Sequence, residues 1–455
     1  MVQSPPILSL QSPKEISLHE IEEELRDIWQ SYSTTDGNSD VPTAVRATTF
    51  TLVVYEPEET QLLLSALGYY SGPIDGIIGP RMFAALKAAQ KAYGLPRTGK
   101  ADEKTKTKLR EEHNELHQQQ ANGNGETKRQ PYSADIEGSG IADAIAAANP
   151  CRIIALCPIV GEDEGVNVQV SASCPIQKHS KSTLVCCEYI TLSGTTAALE
   201  RLGGMICELM IDDLPKFVWW KGTPDPDYGL FKRLAGVSNS VIVDSSAFQK
   251  PESGLSRLQE FITQEIPMAD LNWRRLASWQ ELTAEAFDPP ERRSALKEVD
   301  QVTIDYEQGN PAQALMFLGW LASRLQWRPV SYQKEGGEYD IRRVKFTTPE
   351  HRTVEAELAG IPTVDVGEVA GDLISLRLGS TNMDADCCTV LCSETTGCMR
   401  MEAHGGAQSC RIQQVTPMFD QKTEQLLSQQ LQRWGRDLLY EETLAVAGQI
   451  LKAGS

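Results

Sequence analysis

The sequence predicts a multidomain protein of mixed α/β and α+β class: a helix-covered mixed sheet interrupted by a small three-helix module, followed by an α+β domain. Three observations carry this. Strand-like runs alternate with helical patterns from Thr48 to Ile266, the pattern of a sheet with helices on its faces. Between the first of those strands and the next lies a turn-rich stretch, Pro57 to Leu109, with helical spacings of its own. Beyond Asp270 the pattern changes to helix, strand, helix and then a run of strands. A chain of 455 residues is long enough for two or three domains, each with its own core.

The elements follow in order. Ile16, Leu18, Ile21, Leu25, Ile28 and Trp29 recur at helical spacing among acidic residues, which predicts an amphipathic helix over 16–31. A polar loop, 31–40, precedes a buried strand at 48–55. Helices are expected at 57–67, ended by Gly68, at 80–93, opened by Pro80, and from Asp102, its N-cap. Polar, Gly-rich sequence from Gln118 to Gly140 has the composition of a linker. An Ala-rich helix at 141–149 and strands at 152–160, 166–174 and 182–191 resume the sheet. A helix at 195–212, a strand at 216–221, a short helix at 228–234, a strand at 240–245 and a helix at 253–266 complete it. Further on, helices are expected at 273–287, 310–327, 419–434 and 437–452. Strands are expected at 299–306, 329–333, 339–347, 353–358, 373–378, 386–392, 398–402 and 411–415. The expected domains are 1–58 with 131–269, a module at 59–112, a linker at 113–130 and a C-terminal domain at 270–455.

Composition limits the function. The N-terminus has no basic stretch leading into an apolar run, and the longest apolar runs are strand-length. A soluble, cytoplasmic protein without membrane contact is expected. Its net charge of −19 argues against a general nucleic-acid role.

Five of the eleven cysteines, Cys387, Cys388, Cys392, Cys398 and Cys410, crowd into one stretch. Residues 386–392 and 398–402 read as a hairpin, with Cys392 and Cys398 closing its loop from opposite sides. Facing cysteines on antiparallel strands can reach disulfide distance. A bond closing so short a loop is worth about 2 kcal/mol, which suits a switch better than a staple. Three readings stand side by side: buried thiols for most of the cysteines, a reversible disulfide for Cys392 and Cys398, and last zinc, since no Cys-x-x-Cys pair occurs. No metal is expected.

No catalytic constellation emerges. A phosphate loop, a His-Glu-x-x-His helix and a Gly-x-Ser-x-Gly elbow are all missing, and Gly138-Ser-Gly140 is only half a dinucleotide fingerprint. The six histidines are isolated among polar residues. Two aromatic and basic stretches stand out, Phe217-Val-Trp219-Trp220-Lys221 and Asp270-Leu-Asn-Trp273-Arg274-Arg275 with Trp279. Tryptophans in such places mostly pack and arginines mostly pair with carboxylates. The functional alternative is a partner or sugar-phosphate contact through Trp219, Trp220, Trp273, Arg274 and Arg275.

Two resemblances bear on this. Gly68-Tyr-Tyr-Ser-Gly-Pro-Ile-Asp75-Gly76-Ile-Ile-Gly79-Pro80, followed by Ala85-Leu86, Gln90, Gly94-Leu95, Gly99, Asp102, Thr105 and Leu109, resembles the peptidoglycan-binding-like module. The stretch departs from that family at Met82 and Ala89, and its lysines and arginines form a basic edge that favours protein docking or spacing over carbohydrate binding. Pro150-Cys-Arg152, Leu214-Pro215 with Trp219-Trp220, Asp270-Leu-Asn-Trp-Arg-Arg275 with Trp279, and Phe317-Leu-Gly-Trp-Leu-Ala-Ser-Arg324-Leu-Gln-Trp327 together resemble the OpcA family of glucose-6-phosphate dehydrogenase assembly proteins, in its cyanobacterial form. The resemblance implies a non-catalytic assembly factor and allosteric activator of glucose-6-phosphate dehydrogenase in the oxidative pentose phosphate pathway. It implies no cofactor. It also implies redox control by thioredoxin as a second partner.

Overall fold

A computed structural model of the chain describes residues 7–33, 43–46, 48–55, 60, 63–64, 67–70, 80–102, 104–109, 111–112, 145, 150–158, 163, 165–175, 183–248, 250–362, 369, 371–382, 384–385, 387–394, 398–404, 412–417 and 423–454. The chain divides into two units, Met1–Val243 with Leu427–Trp434, and Asp244–Leu426 with Gly435–Ser455. The linker expected at 113–130 lies outside the described residues.

The first unit is built on strands β1 (Ile7–Ile16), β2 (Thr43–Arg46), β3 (Thr51–Tyr55), β4 (Arg152–Pro158), β5 (Val166–Pro175), β6 (Thr183–Gly194), β7 (Lys216–Trp220) and β8 (Ser240–Val243). They run in the order β1-β5-β6-β4-β3-β7-β8, with β2 also on β6. The centre, β6-β4-β3-β7-β8, is wholly parallel. β5 and β1 extend it antiparallel. Strands covered on both faces need apolar side chains throughout, and all five residues of β3 are buried. The helix Ile21–Ser33 buries Ile21, Leu25 and Ile28, spaced four and three residues apart on one face. Arg152 opens β4 and is itself buried. Its guanidinium donates to Glu188 at 2.9 Å, to Glu22 at 2.6 Å and to the Leu209 carbonyl at 3.0 Å. Trp29 donates to the same Glu188 at 2.6 Å, so one buried carboxylate ties the helix to the sheet.

The expected module sits in the crossover from β3 to β4, which are sheet neighbours (Thr51 beside Arg152). It has a separate core of Leu63, Leu64, Tyr70, Met82, Ala85, Leu86, Ala89 and Leu109, gathered around the helix Pro80–Ala92. Met82 and Ala89, where the sequence departs from the resembling family, are both core residues.

The second unit holds β9 (Met268–Asp270), β10 (Gln301–Glu307), β11 (Arg328–Gly336), β12 (Ile341–Thr347), β13 (Thr353–Ile361), β14 (Leu373–Gly379), β15 (Cys388–Glu394), β16 (Cys398–His404) and β17 (Ile412–Pro417). Its large sheet runs β11-β12-β13-β10-β14-β15-β16-β17, antiparallel except for β10 beside β13. The helices Ala312–Arg324 and Leu438–Lys452 pack closely at Gly319, where a Cβ would come within 2.9 Å of the Thr443 carbonyl oxygen.

Three expectations are corrected. β1 and β2 are strands where no strand was expected, and β1 holds its place through pairing with β5. The single helix expected at 195–212 is two, Thr196–Arg201 and Gly203–Leu209, broken at Leu202 ahead of Gly203-Gly204. The one expected at 273–287 is also two, Leu271–Arg275 and Ala277–Glu285. By contacts the two units divide at Val243/Asp244, where the helix Pro251–Thr263 packs on the helices Leu438–Lys452 and Ala312–Arg324.

Candidate functional site

The parallel centre of the first unit places strands in the chain-order pattern 3-2-1-4-5, so the winding reverses between β3 and β7. In sheets of this kind a ligand binds outside the carboxyl ends of the strands at that reversal. Here the two strands end on Tyr55 and Trp220, which are register partners. Their rings stack at 3.8 Å and 4°. Tyr228 tilts against both at 6.0 and 5.8 Å, and Phe231 meets Trp220 edge-on at 5.0 Å. Burial raises the Tyr228 phenol to about 12 and the Tyr55 phenol further still. Lys221 follows directly, 6% exposed, with Nζ 4.3 Å from the centre of the Trp219 ring. Trp219 is buried, and its Nε1 finds no acceptor among the described residues.

A dinucleotide site at such a place needs a glycine-rich turn after the first strand and amide groups free to meet a pyrophosphate. After Tyr55 the sequence reads Glu56-Pro57-Glu58-Glu59, without glycine and with three carboxylates. Nor does the aromatic stack offer a nucleophile or a base near neutral pH. Among the described residues no group of His, Cys, Asp and Glu is placed to hold a metal ion.

The Asp270–Arg275 stretch forms a second cluster, inside the second unit. Asp270 caps the helix Leu271–Arg275 by accepting the Asn272 N–H at 2.9 Å, and it accepts the Ser245 N–H at 3.0 Å. Arg275 is buried and donates to both oxygens of Asp244, each at 2.8 Å, and to Thr423 at 3.3 Å. Gln313 joins Asn272 to Asp372 at 2.9 and 2.6 Å. Asn310 donates to the Ser245 and Ser246 carbonyls at 3.0 and 2.8 Å. Against the pull of burial, Arg275 holds the Asp244 carboxyl below its ordinary range. Burial, and then the Asp244 charge, raises Asp270 to about 6, and burial raises Asp372 to about 6 as well.

The residues singled out by the sequence are thus placed as follows. Trp220 belongs to the aromatic stack of the first unit, whereas Trp219, one residue earlier on β7, lies against Lys221. Trp273 donates to Asp437 at 3.0 Å and tilts against Tyr440 in the second. Arg274 is half-buried, and Arg275 spends its terminal nitrogens on Asp244. Packing and internal pairing account for the four buried residues, so a direct sugar-phosphate contact has no geometric support at Arg275. Sequence reasoning missed Tyr55, Tyr228 and Asp244. Each meets its partner through sheet register or a distant turn, and no local pattern marks it.

The cysteine hairpin forms as expected, β15 against β16. Arg400 stands opposite Cys392, and Glu394 opposite Cys398. The two cysteines therefore sit diagonally on one face, two positions out of direct register. The Cys392 side chain is half-buried, Cys387 is buried, and the Cys398 side chain lies outside what the structure describes, as does Cys410. In the first unit, Cys186 is disulfide-bonded whereas its neighbour Cys187 is not.

Comparison with known proteins adds the lineage. Residues 142–260 match the family model "Glucose-6-phosphate dehydrogenase subunit N-terminal domain" and residues 266–444 the corresponding "C-terminal domain". Residues 56–109 match "Putative peptidoglycan binding domain". The chain is 64% identical over 455 residues to "Putative OxPP cycle protein OpcA" of Nostoc punctiforme, covering 99% of this chain and 96% of that one. It is 58% identical over 454 residues to the protein of the same name in Synechocystis, covering 99% and 94%. Among solved structures, KijD10, a 3-ketoreductase from Actinomadura kijaniata with NADP and TDP-benzene, aligns with 58% of this chain and 81% of its own at 11% identity and a TM-score of 0.36. With nearly full-length matches at this identity and both domain models in order, the chain belongs to the OpcA family of glucose-6-phosphate dehydrogenase subunits.

Proposed function

We propose that the chain is a non-catalytic, cytoplasmic partner of glucose-6-phosphate dehydrogenase, which it assembles and activates allosterically. The reversal point carries this reading. At the ends of the two strands where a sheet of this winding order would hold a dinucleotide, Tyr55 and Trp220 stack on one another, and the sequence after Tyr55 has acidic residues and no glycine. On this reading the sheet serves as a scaffold rather than as a site for hydride transfer. The membership of the family supports the choice of partner. No helix of the described residues is long and apolar enough to cross a membrane.

The test is a mixing assay. The purified chain with glucose 6-phosphate and NADP should produce no NADPH. Added to the purified dehydrogenase, it should lower the Michaelis constant for glucose 6-phosphate. NADPH formation by the chain alone would overturn the reading, and so would dehydrogenase kinetics indifferent to its addition. The thiol state of the hairpin is the regulatory input of the same proposal: a Cys392–Cys398 bond favours the activating conformation, and thioredoxin reduces it.

A further inference from the structure

The helix Pro80–Ala92 and the loop after it carry a surface that the function described so far does not use. Residues 80–110 hold nine Lys or Arg against Asp102 and Glu103, a net charge of +7 in a chain whose total is −19. Lys87, Lys91, Arg97, Lys100 and Lys104 are exposed and make no ion pair among the described residues. Lys108 differs, reaching Glu111 at 3.3 Å and Glu112 at 3.2 Å. Asp102, an exposed acid beside them, caps the following helix, accepting from the Thr105 N–H and hydroxyl, both at 2.8 Å.

The backbone positions that carry the cations are held in a fixed arrangement. Lys87 and Lys91 lie one turn apart on one helix face. The buried Gln90 fastens the loop to that helix, donating to Thr98 Oγ1 at 3.0 Å, to the Lys100 carbonyl at 3.0 Å and to Thr105 Oγ1 at 3.1 Å. It also accepts the Gly99 N–H at 2.9 Å. Gly99 lies against Lys87, so close that an added Cβ would meet Lys87 Cε at 3.1 Å. The loop cations Arg97 and Lys100 are thereby set beside the helix cations, on a module with a hydrophobic core of its own. A pre-ordered array loses little freedom when it is bound.

We infer that this face is a docking surface for an acidic protein face, presented by the dehydrogenase; the choice of partner rests on the function proposed above. Charge complementarity argues for an anionic occupant. The extent of the patch argues for a protein: a nucleic acid or long polyanion would run past these thirty-odd residues onto a body that carries strong negative charge and repels it. An acidic protein face of bounded size meets only the patch. The array steers encounter and fixes orientation, and the rest of the interface supplies the remaining affinity.

The experiment uses the full-length chain and a variant with Lys87→Glu, Lys91→Glu, Arg97→Glu and Lys100→Glu, titrated against the purified dehydrogenase by calorimetry at low and moderate salt. A second variant with Gln at the same four positions keeps the side-chain stems and decides the matter if the reversal disturbs folding. Both are checked for parental circular dichroism and thermal unfolding. The expected result is at least tenfold weaker binding at low salt for the charge reversal, a smaller loss for the Gln variant, and a flattened salt dependence in both. Parental affinity and salt dependence in the variants would overturn the docking surface while leaving the proposed function standing. A parent chain that does not bind the dehydrogenase at all would overturn both. Saturable binding of a short DNA duplex by the parent, lost in the variants, would assign the patch to phosphate backbones and overturn the proposal as well.

Discussion

Arg275 and Asp244 form a buried ion pair in which neither partner can be removed cheaply. Their geometry is bidentate, and Asn272 and Thr423 stand at the remaining donors. Arg275→Met leaves the Asp244 carboxylate buried without its counter-ion, and the expected loss is on the order of 3–5 kcal/mol of unfolding free energy. Adding Asp244→Leu to that variant should recover much of the loss, since the uncompensated charge is the cost. Urea titrations of the parent and both variants measure this. Asp270 makes a pH prediction. Its folded-state value of about 6 lies above its ordinary 3.8, so the folded chain keeps a proton that the unfolded chain gives up between those values. Stability therefore falls as pH rises through that window, and the cost is complete above about pH 6. Asp372 acts in the same direction, while Asp244, held low, contributes a constant amount across the window. Asp270→Asn should shrink the fall in thermal midpoint between pH 4.5 and 7.5, and an unchanged fall would assign the pH dependence elsewhere. The sequence displayed Asp270, Trp273 and Arg275 as a cluster. It could not display Asp244, which reaches them from the far side of the helix Pro251–Thr263.

The β15–β16 hairpin shows how far local pattern carries. Alternation and a Gly-containing loop were enough to place both strands, since the turn and the strands are encoded in the same few residues. Register was less legible: Cys392 and Cys398 read as facing, and the pairing sets them diagonally. With Cys392→Ser, activation of the dehydrogenase should no longer respond to dithiothreitol or thioredoxin, whereas the parent should lose activation on reduction. A mutant that responds as the parent does would place the switch at other cysteines, the disulfide-bonded Cys186 among them. β1 illustrates the opposite case. Its Ser12-Pro13 and polar residues hide it from any pattern, its pairing with β5 shifts register twice, and it is a strand because β5 offers an edge. The helix Leu438–Lys452, with apolar spacing and Asp437 as its N-cap, was legible to within a residue.

For the chain as a whole, the module in the β3–β4 crossover is the feature with the widest reach. Because it has its own core, replacing residues 59–130 with a short linker should leave β3 and β4 paired and the remaining chain cooperatively folded. Aggregation or loss of a sigmoidal unfolding transition in that deletion would show that the module supports the host. The fold class was legible because periodicity survives within each segment. The strand order was not, because it depends on which segments meet. That same insertion also sets a timetable. β3 leaves the ribosome early, yet its neighbours Arg152–Pro158 and Lys216–Trp220 follow only after the module and much of the unit have been made. Until then a strand built for full burial has no sheet to join, and closing the long intervening loop carries an entropic cost that a short crossover would avoid. The full-length chain should therefore refold more slowly than the deletion variant and aggregate more readily during refolding, with β3 as the exposed segment.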